Sequence, residues 1–398
     1  MLEIRPLSLN DDLDAQRQLS EQAFGVMSAA ERESWRRGTE TRIAGGRFLG
    51  AFLGGRPVGS ACWHDMRQWW AGREVPMAGI ASVKIAPDAR GQGLGRQLMA
   101  EVLREVAALG YPLSALYPAT MPIYRSLGWE LAGGRYHAVI PSRALRSLAS
   151  PDLTPSPNDS AHSGLREAAP GDGANIISVL SRAHGASRDC GPVTRDVESV
   201  ETWLATDESA YRYLSDDAFL AYRWTPGNDG LAADWAVAST PRSERAIWSI
   251  LAGHSSTADT VEVRTWPGSP LWWLTRERDA QIAKLSMWML RVVDAPSAVA
   301  RRGFGRGLDG TVRISVDDSS PVNAGTWELT VADGTGKLER TEAAPEALRV
   351  GARGLAALYA GTPLSALRLA GLAAGGSPAD DEFLAAAFPG PAWMIDAF

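Results

Sequence analysis

The chain has 398 residues, which is long enough for two or three domains. Its composition, 45% hydrophobic and 22% charged, is typical of globular proteins. Its formal net charge of −6 argues against a nucleic-acid partner, because phosphate binding needs a basic face. Two cysteines, Cys62 and Cys190, are too few for a disulfide framework, so we expect a reduced compartment and a cytoplasmic location. The apolar runs of the sequence predict neither a secretory signal nor a membrane span.

The first third alternates strands and helices. EIRPL (3–7) predicts a strand, with Asn10 and Asp11 as candidate helix caps, and residues 48–65 predict a hairpin with a Gly-Gly turn. Residues 77–87 predict a further strand, residues 96–110 an amphipathic helix ended by glycine, and residues 113–120 another strand.

Two changes in composition divide the rest of the chain. Residues 147–164 are rich in Ser, Pro, Asp and Asn, as linkers are, and residues 165–172 then repeat the pattern of the chain's opening. After an apolar strand near 285–296, we expect strands at 311–318 and 325–331 and helices at 346–361 and 365–376. The sequence therefore predicts a mixed α/β (α+β) protein with domains at 1–150, 151–287 and 288–398.

A glycine-rich turn links the strand that ends near Pro87 to the helix that follows. Gly91, Gly93 and Gly95 lack a Cβ, and a helix N-terminus presents free N–H groups, so the turn is suited to an anion such as a pyrophosphate. Arg90 and Arg96 add positive charge. A Walker loop would need Gly-Lys-Ser/Thr, which is absent. A dinucleotide-binding motif would need a parallel strand–turn–helix unit and an acidic residue about 20 positions later, whereas the preceding elements are predicted to be antiparallel. The remaining alternative is an ordinary turn without a ligand.

Arg90-x-x-Gly93-x-Gly95 after a V-x-I-x-P strand resembles the acetyl-coenzyme A signature of the GCN5-related N-acetyltransferases (GNATs) over the first ~145 residues. The resemblance implies that this strand splays from its neighbour and that acetyl-CoA is the co-substrate, without a metal. Backbone groups of Val83, Lys84 and Ile85 would hold the pantetheine arm. The N–H groups from Arg90 to Arg96, including Gly91, Gly93, Leu94 and Gly95, would hold the pyrophosphate.

The segment Pro122-Ile-Tyr124-Arg-Ser-Leu-Gly128-Trp129 resembles the family motif whose tyrosine protonates the departing coenzyme A thiolate. A phenol with a pKa near 10 is protonated at neutral pH and can donate to a developing anion. Tyr124 is therefore the candidate general acid, and a buried aromatic with no chemical role is the alternative. His64 and His137 are the histidines of this domain, and we expect His64 to be structural or to line the pocket.

The whole order, a GNAT domain, a second domain of similar pattern and a small α+β domain, resembles the Eis (enhanced intracellular survival) family of tandem GNAT domains with a sterol-carrier-protein-like domain. In that family the C-terminal Phe carboxylate acts as general base, which implies the same role for Phe398. The second domain lacks the glycines, and Glu244 would place negative charge where a pyrophosphate belongs, so we expect it to be non-catalytic. The resemblance also implies a homo-oligomer, with a hexamer as its expected form.

The acceptor is expected to be a primary amine of a small molecule, similar to an aminoglycoside or a polyamine. Phe24, Trp35, Ser82 and Asp396 are the candidate pocket residues, whereas Val26 and Ala397 stand where family members carry acids. Two alternatives remain: acetylation of protein lysine or N-terminal amines, and a non-catalytic carrier of an apolar ligand that senses acetyl-CoA.

Overall fold

The computed structural model describes residues 1–149 and 164–398, which form one large mixed sheet flanked by helices and a smaller sheet in the C-terminal third. The expected mixed α/β class is confirmed. Most of the linker expected at 147–164 lies outside the described residues, and its first three residues end a helix. Within the described ranges, no helix is both long and apolar enough to cross a bilayer.

The first domain follows the expected alternation. Its elements are β1 (Leu2–Pro6), α1 (Leu13–Phe24), α2 (Ala29–Ala44), β2 (Phe48–Leu53), β3 (Arg56–Trp70), β4 (Arg73–Ile85), α3 (Leu94–Ala108), β5 (Leu113–Leu116), α4 (Pro122–Arg125), β6 (Glu130–Pro141) and α5 (Ser142–Ala149). Strands β1 to β4 pair antiparallel, β5 pairs parallel to β4, and the Gly-Gly hairpin is confirmed. The predicted cap of α1 is wrong by one residue: Asp12 accepts from the Ala15 N–H, while Asp11 pairs with Arg5.

The second domain repeats this order of elements from its first strand to its last, with one additional strand, β8, between its first two helices. They are β7 (Arg166–Glu167), α6 (Gly173–Ser187), β8 (Cys190–Thr194), α7 (Val197–Thr206), β9 (Tyr211–Leu214), β10 (Ala218–Trp224), β11 (Gly230–Ala238), α8 (Pro241–Ala252), β12 (Thr260–Thr265), α9 (Leu271–Leu274) and β13 (Gln281–Val292). Strands β9 to β11 pair antiparallel and β12 is parallel to β11. The ion pair Arg166–Asp172, at 2.6 Å, repeats Arg5–Asp11, also at 2.6 Å, six residues apart in each case. The similarity of the two openings is thus a structural one.

Strands β6 and β13 join the two domains into one sheet. β13 pairs antiparallel with both β5 and β6, and β6 pairs antiparallel with β12. Trp288 to Val292 of β13 are buried, while most of its first half is exposed. The boundary predicted between residues 287 and 288 therefore falls inside this strand, and the limits of the domains stay a prediction.

The C-terminal region contains a small sheet and short helices. Its elements are α10 (Ala295–Arg301), β14 (Gly310–Asp317), β15 (Gly325–Ala332), β16 (Thr335–Arg340), β17 (Leu348–Gly351), α11 (Ala352–Tyr359), α12 (Leu364–Leu369), β18 (Ala373–Ala374), α13 (Pro378–Ala387) and β19 (Ala392–Trp393). The strands expected at 311–318 and 325–331 are confirmed. The single helix expected over 346–361 is wrong in its first half. Leu348 and Val350 alternate with exposed residues there and form β17 against β14, because strand pairing outweighed local helix preference.

A buried polar cluster ties β13 to the C-terminal region. Arg291 contacts both carboxylate oxygens of Asp318, at 2.6 and 2.7 Å, with both side chains nearly inaccessible to solvent. Asn323 donates to Asp318 and to the Val292 carbonyl. Since a buried charge that loses its partner is costly, this cluster fixes how the C-terminal region sits on the sheet.

Candidate active site

Strands β4 and β5 separate beside the glycine-rich turn. They pair only from Met77–Ile80 against Leu113–Leu116, after which β4 continues to Ile85 with a partner on its other side alone, β3. The register on β3 shifts between Ser60 and Cys62, and Ser82 takes a positive φ of 53° in this bulge. The backbone of residues 81–85 therefore has one unpaired edge facing the opening.

The turn that follows ends at an open helix N-terminus. Gly91 and Gly93 have φ values of 78° and 75°, and a Cβ at either would meet no protein atom within 4 Å. Gly93 is the N-cap of α3 and no side chain caps the first N–H groups, while Arg90 and Arg96 are exposed beside them. This cradle of free N–H groups, open space and two guanidinium groups fits the diphosphate of coenzyme A.

Three of the predicted cofactor residues, Gly95, Leu94 and Lys84, have structural roles of their own. Gly95 faces Ile123, whose Cδ1 would lie 2.9 Å from an added Cβ, so this glycine serves the packing of α3 on α4. Leu94 is buried in the core. Burial lowers the pKa of Lys84 to about 8, and its ammonium lies 5.5 Å from the centre of the Phe48 ring. Leu94 and Lys84 can therefore contribute only backbone groups to the site.

Tyr124 lies on α4, the short helix that contacts α3. Its side chain is 6% exposed and its ring meets that of Trp129 edge-on, with 6.4 Å between the ring centres. Burial raises the pKa of Tyr124, so its hydroxyl stays protonated well above neutral pH. This is the state that a proton donor needs.

The end of the chain extends from the C-terminal region to β4 of the first domain. Strand β19 pairs in parallel with Gly133 and Gly134 of β6, and the Ala392 carbonyl approaches Gly133 so closely that a Cβ there would collide with it. The Phe398 ring lies beside Gly79 of β4, 3.0 Å from where a Cβ would stand. It also meets the Tyr117 ring at 5.9 Å and the His64 ring at 6.4 Å.

The predicted pocket residues are not all brought together. Phe24, at the end of α1, is 61% exposed, and Trp35 is half-buried on α2. Ser82 lies in the bulge of β4. Asp396 is buried, with Oδ1 3.7 Å from Arg195 Nε, and burial raises the pKa of its carboxyl group although Arg195 opposes the shift. Its carboxylate is thus engaged within the protein.

His64 is held in its neutral form. Burial, and then the positive charges of Arg42, Arg195 and Arg47, lower the pKa of His64 to about 3 against a weaker opposing effect of Asp196. A histidine with this pKa accepts no proton near neutral pH.

Among the described residues of the second domain, the helix that corresponds to α3 does not have an open N-terminus. Helix α8 begins at Pro241, and the side chain of Thr240 accepts from the Ser243 N–H in a capping box. Glu244 lies in the first turn, where burial raises the pKa of its carboxyl group and its Oε1 accepts from Trp248 at 3.0 Å. Capped N–H groups and an acidic first turn support the prediction that this domain holds no acetyl-CoA.

The sequence analysis missed the side chains that hold the chain end. Tyr117, Arg135, Arg195 and Arg264 all donate to main-chain carbonyls of residues 394–397. Their partners lie 131 to 279 residues away in the chain, so no local pattern could have pointed to them.

Comparison with known protein families agrees with this geometry. Residues 3–132 and residues 191–292 each match a family described as an acetyltransferase (GNAT) domain, and residues 295–395 match the sterol carrier protein domain. The fold and site thus define an acetyltransferase built from two GNAT domains and a sterol-carrier-like domain.

Three individual proteins that are similar to this chain show more closely which acetyltransferases it resembles. The solved GCN5-related N-acetyltransferase of Kribbella flavida is 40% identical, with a TM-score of 0.92 over 100% of this chain and 98% of that one. N-acetyltransferase Eis of Mycobacterium tuberculosis is 28% identical over 75% of this chain and 74% of that protein. An uncharacterized N-acetyltransferase of Streptomyces avermitilis is 27% identical over 93% and 91%. The chain belongs to the GCN5-related N-acetyltransferases and is Eis-like in its domain order, as expected, and GNAT domains use acetyl-CoA.

Proposed function

We propose that the first GNAT domain transfers the acetyl group of acetyl-CoA to a primary amine of a small molecule similar to an aminoglycoside or a polyamine. The observation that carries this proposal is the position of Phe398, whose ring lies against Gly79 of β4, the strand whose free edge leads to the glycine-rich turn. An acid on α4 and a carboxylate at the chain end would then flank one reaction centre.

The division of roles follows from the chemistry of each group. Bound acetyl-CoA supplies the acetyl thioester. The N–H groups near Ile85 on the unpaired edge of β4 bind the carbonyl oxygen of that thioester. The Phe398 carboxylate, ionised because an α-carboxyl group has a pKa of about 3.5, accepts a proton from the amine. The Tyr124 hydroxyl donates its proton to the departing sulfur.

The other acceptor class, protein lysine or N-terminal amines, is left to experiment.

The alternative function, a carrier of an apolar ligand, is weakened by the C-terminal region itself. Its apolar cavity, lined by Val292, Trp327 and Phe388 among others, measures only about 20 Å³, which is room for about one water molecule. A sterol-sized ligand would have to force this core apart.

We keep the homo-oligomer, with a hexamer as its expected form, and the cytoplasmic location as predictions. Support for association comes from large apolar side chains left in solvent on α9 and the first half of β13. Trp273 is 82% exposed, Ile282 54% and Leu285 47%. Sedimentation equilibrium of the purified chain tests this, because a single species at the monomer mass would contradict it.

The proposed function is tested by measuring release of coenzyme A thiol with a panel of acceptors. An aminoglycoside, a linear polyamine and a lysine-containing peptide should be compared at equal amine concentration. We expect thiol release above background with at least one of the small amines, and a peptide as the better acceptor would favour the protein-acetylating alternative. Release at the background rate with every amine, while acetyl-CoA binds, would refute the proposed reaction.

A further inference from the structure

In both GNAT domains, the two neighbouring parallel strands stop pairing at equivalent positions. In the first domain the last parallel pair is Ile80 with Leu116, and in the second it is Ala233 with Val263. The next residues are Tyr117, which directly follows β5, and Arg264, which belongs to β12. These two side chains therefore occupy matching positions at the mouths of the two openings.

Both side chains donate to the same stretch of chain, the tail formed by residues 392–398. The Tyr117 hydroxyl donates to the Asp396 carbonyl at 2.8 Å and to the Met394 carbonyl at 3.3 Å. Arg264 Nη1 donates to the Ile395 carbonyl at 3.4 Å. The tail thus lies between the openings and is held from both.

Two further arginines complete the set of donors. Arg135 Nη1, on β6, donates to the Asp396 carbonyl at 3.3 Å, and Arg195 Nη2 donates to the Ala397 carbonyl at 2.6 Å. Each carbonyl from residue 394 to residue 397 is therefore bound by a side chain, and three of the four donors are guanidinium groups, which form the stronger charge-assisted bonds. Chain ends are ordinarily mobile, so ordering this one requires such contacts.

The second domain also supplies an apolar seat. The Trp393 ring stacks on that of Trp266, with 3.9 Å between centres and 4° between planes. Trp393 and Ile395 share a buried cluster with Val237, against which Trp235 packs. Trp235 and Val237 belong to the part of β11 beyond its pairing with β12, and Trp266 follows directly after β12. The tail is thus seated where the second domain's strands diverge.

We propose that the second GNAT domain acts as the receptor for the chain's own tail, and that Tyr117 and Arg195 are positioning residues that set the place of Phe398 in the first domain. The ligand of the second domain's opening is then an apolar peptide segment with a Trp and an Ile, in place of an acyl-CoA. The effect on catalysis rests on the proposed role of Phe398, whereas the docking of the tail does not.

The experiment uses Tyr117→Phe in the full chain, with Tyr211→Phe as the matched control. The ring that packs against Phe398 is retained, and only the donor to the Asp396 and Met394 carbonyls is lost. Tyr211 is 46% exposed on β9, away from the tail. Two quantities are measured: the rate at which carboxypeptidase A releases phenylalanine from the native protein, and kcat and KM for acetyl transfer.

We expect Tyr117→Phe to raise phenylalanine release by about tenfold and to lower kcat by about tenfold, the range for loss of one hydrogen bond. KM for acetyl-CoA should stay unchanged, because the cradle on α3 is untouched. Arg195→Gln should act in the same direction, Arg195→Lys should restore part of the loss, and Tyr211→Phe should leave both quantities as they are.

The possible outcomes separate the two claims. Faster phenylalanine release from Arg195→Gln, whose side chain belongs to the second domain, with an unchanged kcat would support the receptor but refute both the positioning role and the proposed base. Unchanged release in Tyr117→Phe and Arg195→Gln, with each variant folded by its thermal transition, would refute the receptor itself. Loss of kcat together with a raised KM for acetyl-CoA would show a general disturbance of the first domain and would also refute the positioning role.

Discussion

Arg353 of the C-terminal region donates through Nε to Oε2 of Glu130 at 2.6 Å. The other oxygen of this carboxylate, Oε1, accepts from Nη2 of Arg125 at 2.8 Å, and Arg125 follows Tyr124 directly on α4. Glu130 is 4% exposed. Burial alone would raise its pKa, but the bonds from Arg125, the Leu131 N–H and Arg353 outweigh it and hold the pKa of Glu130 below its usual value. Through Glu130, the C-terminal region is thus linked to the short helix that carries the proposed acid.

Arg353→Met should lower kcat several-fold and destabilise the protein by about 1–3 kcal/mol, because it leaves a buried carboxylate with one partner fewer. KM for acetyl-CoA should change little. The matched control is Arg313→Met in the same region, whose contacts with Glu328 and Glu346 are exposed and should contribute little. Steady-state kinetics and urea unfolding measure both effects, and equal losses in the two variants would contradict this account.

The same carboxylate makes stability depend on pH. A carboxyl group whose pKa is lowered on folding contributes stability that is complete above its unfolded pKa, near 4.3, and is lost as the pH falls through the folded value. Unfolding free energy should therefore fall below about pH 4.5, and less steeply in Glu130→Gln than in the parent. Parallel curves for the two proteins between pH 5 and pH 3 would show that Glu130 contributes nothing there.

Tyr124→Phe removes one hydroxyl and should lower kcat by about 10²-fold, the lower range for loss of a general acid. KM for acetyl-CoA should stay near the parent value, since the ring keeps its packing against Trp129. Tyr136→Phe, a change of the same atom on the half-buried surface of β6, is the control. A kcat for Tyr124→Phe within twofold of the control would remove Tyr124 from the mechanism.

Gly93→Ala and Gly110→Ala form a second matched pair, at the two ends of α3. Their φ values are 75° and 78°, and an added Cβ meets no protein atom at either position. Each alanine should cost about 1–2 kcal/mol of stability from its left-handed backbone. Only Gly93→Ala should also weaken acetyl-CoA binding, measured by calorimetry, because its Cβ enters the space offered to the diphosphate. Equal affinities in the two variants would place the cofactor elsewhere.

His64 should not shape the pH dependence of catalysis. With a pKa of about 3 it is neutral throughout the working range, so kcat should show no inflection near pH 6.5 that His64→Gln removes. Its effect on stability has a definite sign. The unfolded chain takes up this proton near pH 6.5 and the folded chain does not, so folding is increasingly disfavoured as the pH falls from 6.5 toward 3.

Local patterns predicted the parts of the fold that local chemistry determines. The hairpin at residues 48–65 and the strand, turn and helix from β4 to α3 follow from period-two and helical patterns with glycines between them. The sequence analysis could not show that β13 is inserted between β5 and β6, since that pairing joins residues more than 140 positions apart. The four side chains that donate to the tail could not be predicted for the same reason. Nothing near Tyr117 or Arg195 in the sequence identifies them as partners of residues 394–397.

The central claim, that the Phe398 carboxylate is the base for the first domain, is tested most directly by the rate of acetyl transfer in a single turnover. The parent is compared with a chain that lacks Phe398 and with one extended by Gly-Ser-Gly, with acetyl-CoA affinity measured for all three. We predict that both changes slow transfer by about 10²-fold while the affinity for acetyl-CoA is unchanged. An extended chain that transfers acetyl at the parent rate would contradict the account.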